Sequence, residues 1–355
     1  MSTYDLEISS IQTDLTSERK PVADFLESQQ LSYDLDVEHT IVARSNGIMV
    51  GTGSLAGGVL KCIAVDQSYQ GEALTNKIVG ELELEAYYKG IEHLFVFTKA
   101  KNRAVFQSLG FGVVAESSAG EQTDVVLLEK PDGQVESWLK TLEKYALPGG
   151  ATALVMNCNP FTLGHRYLVE QASRRAAETG RRVHLFVVSA ERSLFPEEVR
   201  FQLVREGTRE FENVLVHHGG PYIISGATFP SYFLRDSAAV TSAHARLDLQ
   251  IFGQRIAPAL NIDRRMVGEE PYCPVTAAYN RQMQLILPSY GIEVEEIPRL
   301  EYAGAAVSAS KVRELIRENR WKEIEALVPR PTWRYLNSPE AGPVVDRIHR
   351  ENRRH

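Results

Sequence analysis

The 355-residue sequence predicts an α/β protein of two domains, and three observations lead there. From residue 151 onward, short apolar runs alternate with longer runs of helical period, as a parallel sheet with crossover helices requires. Before residue 130 the apolar runs are shorter and follow one another through tight turns, which suits a mixed sheet of hairpins and crossovers. Between the two lie Lys130-Pro131-Asp132-Gly133 and Pro148-Gly149-Gly150, both turn and joint chemistry. The expected domains are therefore 1–147, 148–330 and a C-terminal extension, 331–355, that ends polar and basic.

In the first domain, strands are expected over 40–44 and 48–55. Ser45-Asn46-Gly47 joins them, because Asn-Gly tolerates the positive φ of a two-residue hairpin. A third strand follows over 59–65. Helical spacing of Leu74, Ile78, Leu82 and Leu84 predicts a helix over 71–88, and 94–97 reads as an apolar strand. A helix over 102–109 stops at Gly110, strands over 113–116 and 125–128 close the sheet, and a connecting helix spans 135–145. The second domain has strand candidates at 152–156, 183–189, 214–217, 265–267 and 293–297. Helices between them are expected over 165–179, 196–211, 237–252 and 276–287.

Composition narrows the function classes. The formal charge of -7 argues against a general nucleic-acid binder while allowing a local basic pocket. Only Cys62, Cys158 and Cys273 occur, at spacings that match neither a disulfide framework nor a zinc site, so a reducing cytosol is the expected home. Asp5, Glu7, Asp14 and Glu18 interrupt the start of the chain, unlike a signal peptide, and no apolar run approaches a membrane span. His217 and His218 are adjacent on a strand and so point to opposite faces, which makes a shared metal ion a poor reading.

Two segments carry phosphate chemistry. The strand over 152–156 runs through Asn157-Cys158-Asn159-Pro160-Phe161 into Thr162-Leu163-Gly164-His165, which opens a helix. The helix's free N–H groups then face whatever lies beyond the strand, Gly164 lets an anion come close, and His165 reaches the same anion. Far downstream, Ser308-Ala309-Ser310-Lys311-Val312-Arg313 opens a second helix. Ser310 is its expected N-cap, and Val312, Leu315 and Ile316 form its buried stripe. Arginine can grip two oxygens and lysine acts as a mobile point charge, so Lys311 and Arg313 suit a triphosphate. Taken singly, each segment also fits a plain turn or a solvated helix start; together and in this order they favour a nucleotide site.

Thr-x-Gly-His and Ser-x-Ser-x-x-Arg resemble the two phosphate signatures of the nucleotidyltransferase superfamily, which has a Rossmann-like parallel sheet. The resemblance implies ATP as substrate and Mg2+ on its triphosphate, with Asn159, Phe161, Thr162, Gly164, His165, Ser308, Ser310, Lys311 and Arg313 around the nucleotide. His165, Lys311 and Arg313 would be the catalytic charges. In the first domain, Gln70-Gly71-Glu72-Ala73-Leu74-Thr75 and Phe106-Gln107-Ser108-Leu109-Gly110-Phe111 resemble the CoA pyrophosphate loop and a later element of the GNAT acetyltransferase fold. Gln70, Gly71 and Ala73 would then contact CoA or a pantetheine arm. Ala73 and Thr75 stand where small residues, usually glycine, are expected, which weakens tight CoA binding.

Both domains together, with the runs 220–233 and 268–283, resemble the citrate lyase ligase family. That resemblance implies activation of acetate by ATP and acetylation of the thiol prosthetic group on the acyl carrier subunit of citrate lyase, with no membrane and no nucleic-acid partner. It makes Glu269, Glu270, Tyr279 and Asn280 candidates for a substrate or nucleotide pocket. The bland alternatives are packing for the aromatic residues of 220–233 and helix capping for Glu269 and Glu270. Lys99, Lys101 and Arg103 offer cations in the first domain or a solvated basic turn. An ordinary adenylyltransferase acting on a nucleotide or pantetheine phosphate, and a non-catalytic carrier-docking module, remain open readings at this point.

Overall fold

In the computed structural model, which describes residues 6–34, 36–69, 72–119, 122–189, 193–228, 238–271 and 273–350, the chain divides into Met1–Val135 and Glu136–His355. The division falls earlier than the expected joint at 147 and 148. Most of the helix expected to connect the domains therefore belongs to the second unit.

The first unit has seven strands, β1 (Leu6–Ile11), β2 (His39–Ser45), β3 (Ile48–Ala56), β4 (Val59–Val65), β5 (Leu94–Lys99), β6 (Gly112–Ala119) and β7 (Gln122–Lys130), in the order β1-β2-β3-β4-β5-β7-β6. Only β4 and β5 run parallel, and they pair over just Val59↔Phe95 and Leu60↔Val96. Asn46 and Gly47 take φ of 50 and 75, the left-handed geometry that the hairpin turn needs.

Among the described residues of this unit the α-helices are α1 (Thr16–Ser28), α2 (Glu72–Tyr88) and α3 (Arg103–Ser108). Helix α2 buries Leu74, Ile78, Val79, Leu82 and Ala86 against the sheet, whereas Leu84, expected on that stripe, is exposed. A Cβ at position 53 would come within 2.6 Å of Ile78, so Gly53 is what lets α2 lie this close. Strand β1 and helix α1 escaped sequence reading: α1 contains Pro21 and buries only Val22 and Leu26, too thin a stripe to register as helical period.

The second unit begins with most of α4 (Gln134–Glu143) and carries five parallel strands: β8 (Ala151–Met156), β9 (Arg182–Val187), β10 (Val214–His218), β11 (Ile262–Gly268) and β12 (Glu293–Ile297). Their order is β10-β9-β8-β11-β12, so the winding reverses between β8 and β11. In such a sheet the ligand crevice lies beyond the carboxyl ends of the strands at that reversal. Helices α5 (Leu163–Ala177) and α6 (Glu197–Gly207) join the first three strands. The return includes α7 (Ala238–Ile251) and the short α8 (Ala257–Leu260), and α9 (Pro274–Ile286) links the last two strands.

The two faces of this sheet differ. Leu154, Met156, Val183, Leu185, Val187 and Met266 form an apolar core with Val169, Ala172 and Ala176 of α5 and Phe201, Leu203 and Val204 of α6. On the opposite face, in register across the strands, stand His184, Ala153 and Arg265, all buried. Beyond the sheet, α10 (Ala309–Arg317), α11 (Trp321–Glu325), α12 (Arg330–Leu336) and α13 (Gly342–Arg350) share one core. Val312, Leu315 and Ile316 meet Ile324, Leu336, Val344 and Ile348 there. The stretch after residue 330, expected to be an extension with a polar, basic end, folds back by burying an apolar stripe, each large side chain contributing about 1.5–3 kcal/mol.

Candidate functional site

Strand β8 ends at Met156, and the chain then turns through Asn157 to Phe161, with a cis Asn159-Pro160 bond, into α5. Thr162 is the N-cap of α5. Its hydroxyl accepts the His165 backbone N–H at 3.4 Å, and its own N–H donates to His165 Nδ1 at 3.1 Å, which closes a reciprocal box. Because Nδ1 accepts from the backbone, the ring proton belongs on Nε2, which makes no hydrogen bond among the described residues. Burial, with Arg299 and Arg313 nearby, pushes His165 down to about 4, so the ring is neutral at physiological pH and presents Nε2–H as a donor. Phe161 stacks on the imidazole at 6.0 Å between centroids.

The downstream segment closes against this loop. A Cβ at position 164 would lie 2.5 Å from the Val307 carbonyl oxygen. Gly164 was expected to admit a phosphate; the room its missing side chain leaves is instead taken by the backbone that leads into α10. Arg313 Nη1 donates to the Asn159 carbonyl, and Nη2 reaches Ser310 Oγ at 3.4 Å. The expected N-cap is corrected by two residues: Ser308 caps α10, its hydroxyl accepting the Lys311 N–H at 3.1 Å, and Ser310 lies within the first turn. Lys311 is 42% exposed and pairs with Glu314 at 3.1 Å, the loose surface contact of a cation that can swing to another anion.

The remaining candidates fall elsewhere. Phe161 and Thr162 are fully buried, and Asn159 and Arg313 nearly so. These four build the cradle where nucleotide contact was expected. Asn159 Oδ1 accepts the Phe195 N–H at 2.9 Å, and the Phe161 carbonyl accepts the Thr332 hydroxyl at 2.8 Å. Glu270 accepts the Cys273 N–H at 2.9 Å at the start of α9 and pairs with Arg299, whose Nε donates to the Glu269 carbonyl. Glu270 thus fixes the segment just ahead of α9, whose N-cap, Cys273, has no side-chain cap bond.

Tyr279 and Asn280, expected in a pocket, are buried with their polar groups turned inward. The Tyr279 hydroxyl donates to Asp248 Oδ2 at 2.6 Å and accepts from Arg265 at 3.3 Å. Asn280 donates to the Gly268 carbonyl and to Glu296, each at 3.1 Å. Ala73 is exposed at the start of α2; Gln70 and Gly71 lie outside the described residues, as do Tyr272 and 229–233 of the two longer runs. Of the basic turn in the first unit, Arg103 pairs with Glu116 at 2.8 Å.

Two arginines were missed. Arg200, fully buried, donates to the carbonyls of Asn157, Val188 and Phe195 and to Asn157 Oδ1, and so fixes the ends of β8 and β9 together. Its signal was an arginine on the apolar stripe of α6, between Val199 and Phe201. Arg299 adds a cation just past the end of β12, close enough to act on His165. Among the described residues, no group of three His, Cys, Asp or Glu side chains could hold a metal ion, and no helix is long and apolar enough to cross a membrane.

This geometry can be set beside known proteins. Residues 151–336 match the family model for the citrate lyase ligase C-terminal domain. The chain is 44% identical to the citrate (pro-3S)-lyase ligase of Klebsiella pneumoniae, covering 90% of this chain and 92% of that protein. It is 39% identical to the protein of the same name from Escherichia coli K12, covering 89% and 90%. Among solved structures, it is similar to an acyl-CoA N-acyltransferase from Pseudomonas aeruginosa, at 14% identity and a TM-score of 0.31, covering 35% of this chain and 98% of that one. On the extent of the first two matches and the family model, the chain belongs to the citrate lyase ligase family.

Proposed function

We propose that this chain uses ATP to acetylate the thiol prosthetic group on the acyl carrier subunit of citrate lyase, through an acetyl-adenylate, releasing pyrophosphate and AMP and activating the lyase. A carboxylate is a poor acyl donor because its oxygen is a poor leaving group, and a mixed anhydride with AMP removes that obstacle. In the first half step an acetate oxygen attacks the α-phosphorus and pyrophosphate departs. No protein nucleophile is needed; positioning and charge stabilisation carry the step.

His165 Nε2–H donates to the α-phosphate as charge gathers there, with the Gly164 N–H of α5 and the Ala309 and Ser310 N–H groups of α10 beside it, the first-turn groups not already taken by Leu327, Thr162 and Ser308. Lys311 holds the β and γ oxygens, with Ser308 and Ser310 beside it, while Arg313 adds fixed positive charge from beneath as it ties the two segments. Magnesium, held by phosphate oxygens and water, would neutralise the triphosphate; among the described residues no three His, Cys, Asp or Glu side chains group to hold it. In the second half step the carrier thiol takes the acetyl group and AMP leaves.

The observation that carries this reading is the meeting of the two distant segments: Arg313 on the Asn159 carbonyl, Gly164 against Val307, and His165 Nε2 left free to donate. Exchange of labelled pyrophosphate into ATP tests it. Exchange should require acetate, and AMP with acetylated carrier should accumulate when the carrier is added. Exchange that ignores acetate, or a dinucleotide product in place of AMP, would overturn it.

A further inference from the structure

The second half step has a requirement that the phosphate cradle does not meet. A thiol attacks as its thiolate, so a proton must leave the sulfur as the carbon–sulfur bond forms. The groups assigned to the first half step, His165 Nε2–H, Lys311 and Arg313, are donors and cations and take up no proton.

An acceptor stands along the same edge of the sheet. Met156, Val187 and His218 lie in one row across β8, β9 and β10, each the last residue of its strand. Strands lie about 4.8 Å apart, so the His218 backbone is about 10 Å from the end of β8, where the phosphate loop begins. Its side chain lies on the α5 and α6 face, stacked on Phe201 of α6 at 3.8 Å, and is 48% exposed. Residue 217 points to the other face, where His217 Nε2 lies 2.9 Å from His184 Nδ1.

His218 is held for one job. Its Nδ1 lies 2.9 Å from Glu197 Oε1, so the ring N–H sits on Nδ1 and the lone pair on Nε2. Among the described residues, Nε2 makes no hydrogen bond. Glu197 is itself fixed by the Ser189 hydroxyl at 2.5 Å, and that hydroxyl accepts the Gly220 N–H at 3.0 Å. Three residues along, Arg200 holds the ends of β8 and β9. One turn of α6 thus fixes the ends of β8, β9 and β10 as a unit, with a carboxylate-backed imidazole facing outward at the end of the row.

We propose that His218, oriented by Glu197, is the general base that takes the proton of the incoming thiol. The proposal rests on the acetyl-adenylate reading above. The sulfur forms a bond to the acetyl carbon, the carbon–oxygen bond to phosphorus breaks, AMP leaves with that electron pair, and the thiol proton passes to Nε2 and then to solvent. Glu197 acts as a positioning residue that also steadies the imidazolium.

Two assays on the full chain separate this idea from the reading beneath it. Acetate-dependent pyrophosphate exchange reports the first half step alone. Acetyl transfer is then followed to the carrier and to free 2-mercaptoethanol, cysteamine and 4-nitrothiophenol, a series of rising acidity. In His218→Gln, exchange should stay within about twofold of the parent. Transfer to the carrier and to 2-mercaptoethanol should fall roughly a hundredfold or more, and the deficit should shrink for 4-nitrothiophenol, which is already ionised. Glu197→Gln should show the same pattern at smaller size, about tenfold, and gives a second route should the histidine variant fold poorly. Transfer at parental rates in both variants, or one equal deficit for every thiol, would overturn the assignment. Loss of exchange in the unaltered chain would instead bring down the acetyl-adenylate reading.

Discussion

The two faces of the five-stranded sheet use polar residues in opposite ways. On the α5 and α6 face the interior is apolar, and polar side chains gather at the strand ends, where His165, His218 and Lys311 each keep one polar end free or loosely held. On the other face, polar groups lie within the fold: His184 against His217, and Asp248 bound by Tyr279, Thr228 and the Ile224 N–H. Arg265 lies 4.4 Å over the Phe252 ring and 5.7 Å over Tyr279. Burial raises the Asp248 carboxyl above its ordinary range, with the three hydrogen bonds and Arg265 opposing that rise. A polar motif residue can thus serve a ligand or close an interior, and sequence spacing alone does not separate the two.

That contrast is most sharply tested at His165. Alanine there should slow acetate-dependent exchange roughly a hundredfold or more if Nε2–H is the donor to the α-phosphate that we propose. An unchanged rate would mean that the strand-end residues are as structural as those on the far face. The buried face should respond to acid. His184 and His217 are held at about 3 and about 4, burial being the first cause for both, whereas in the unfolded chain they titrate near 6.5. Their neutral burial therefore stabilises fully above about pH 6.5 and is lost as pH falls toward 4, with a slope of at most about 1.4 kcal/mol per pH unit for each. Thermal melts between about pH 7 and about pH 4.5 check this; a midpoint that does not move would break the assignment of these rings to a neutral interior.

Smaller effects sharpen the same division. Tyr279→Phe removes the donor to Asp248 Oδ2 and should cost about 1–3 kcal/mol in urea unfolding, with the exchange rate of the folded protein kept. A large loss of exchange without a loss of stability would return Tyr279 to the ligand pocket. Ser308→Ala should cost about 1 kcal/mol through the lost cap of α10, readable in the same unfolding series. The same loss from Ser310→Ala, with none from Ser308→Ala, would restore the cap to where the sequence suggested it.

What could be read from sequence follows the reach of the forces involved. The five parallel strands of the second unit and helices α5, α6, α7, α9 and α10 were legible because each repeats its apolar residues over a face, whereas α8 and α11 to α13 are short and were not. The turn into α5 was legible because its threonine, glycine and histidine are neighbours in sequence. Strand β1 and helix α1 were not, since a half-exposed strand and a helix carrying Pro21 show little period. The long-range partners of Gly164, Arg313 and Tyr279 were not legible for another reason. Each lies far along the chain, namely Val307, Asn159 and Asp248, and no local pattern reports such a meeting. The opposite facing of His217 and His218 needed only the alternation of a strand, and it holds.

The phosphate loop also depends on when its supports arrive. The Leu163 N–H donates to the Leu327 carbonyl at 2.9 Å, and the Thr332 hydroxyl donates to the Phe161 carbonyl at 2.8 Å. During synthesis the loop leaves the ribosome long before either partner has been made. A nascent chain paused short of residue 332 therefore carries the Thr162 to His165 turn without its brace, and the loop takes its final form as a late event of translation.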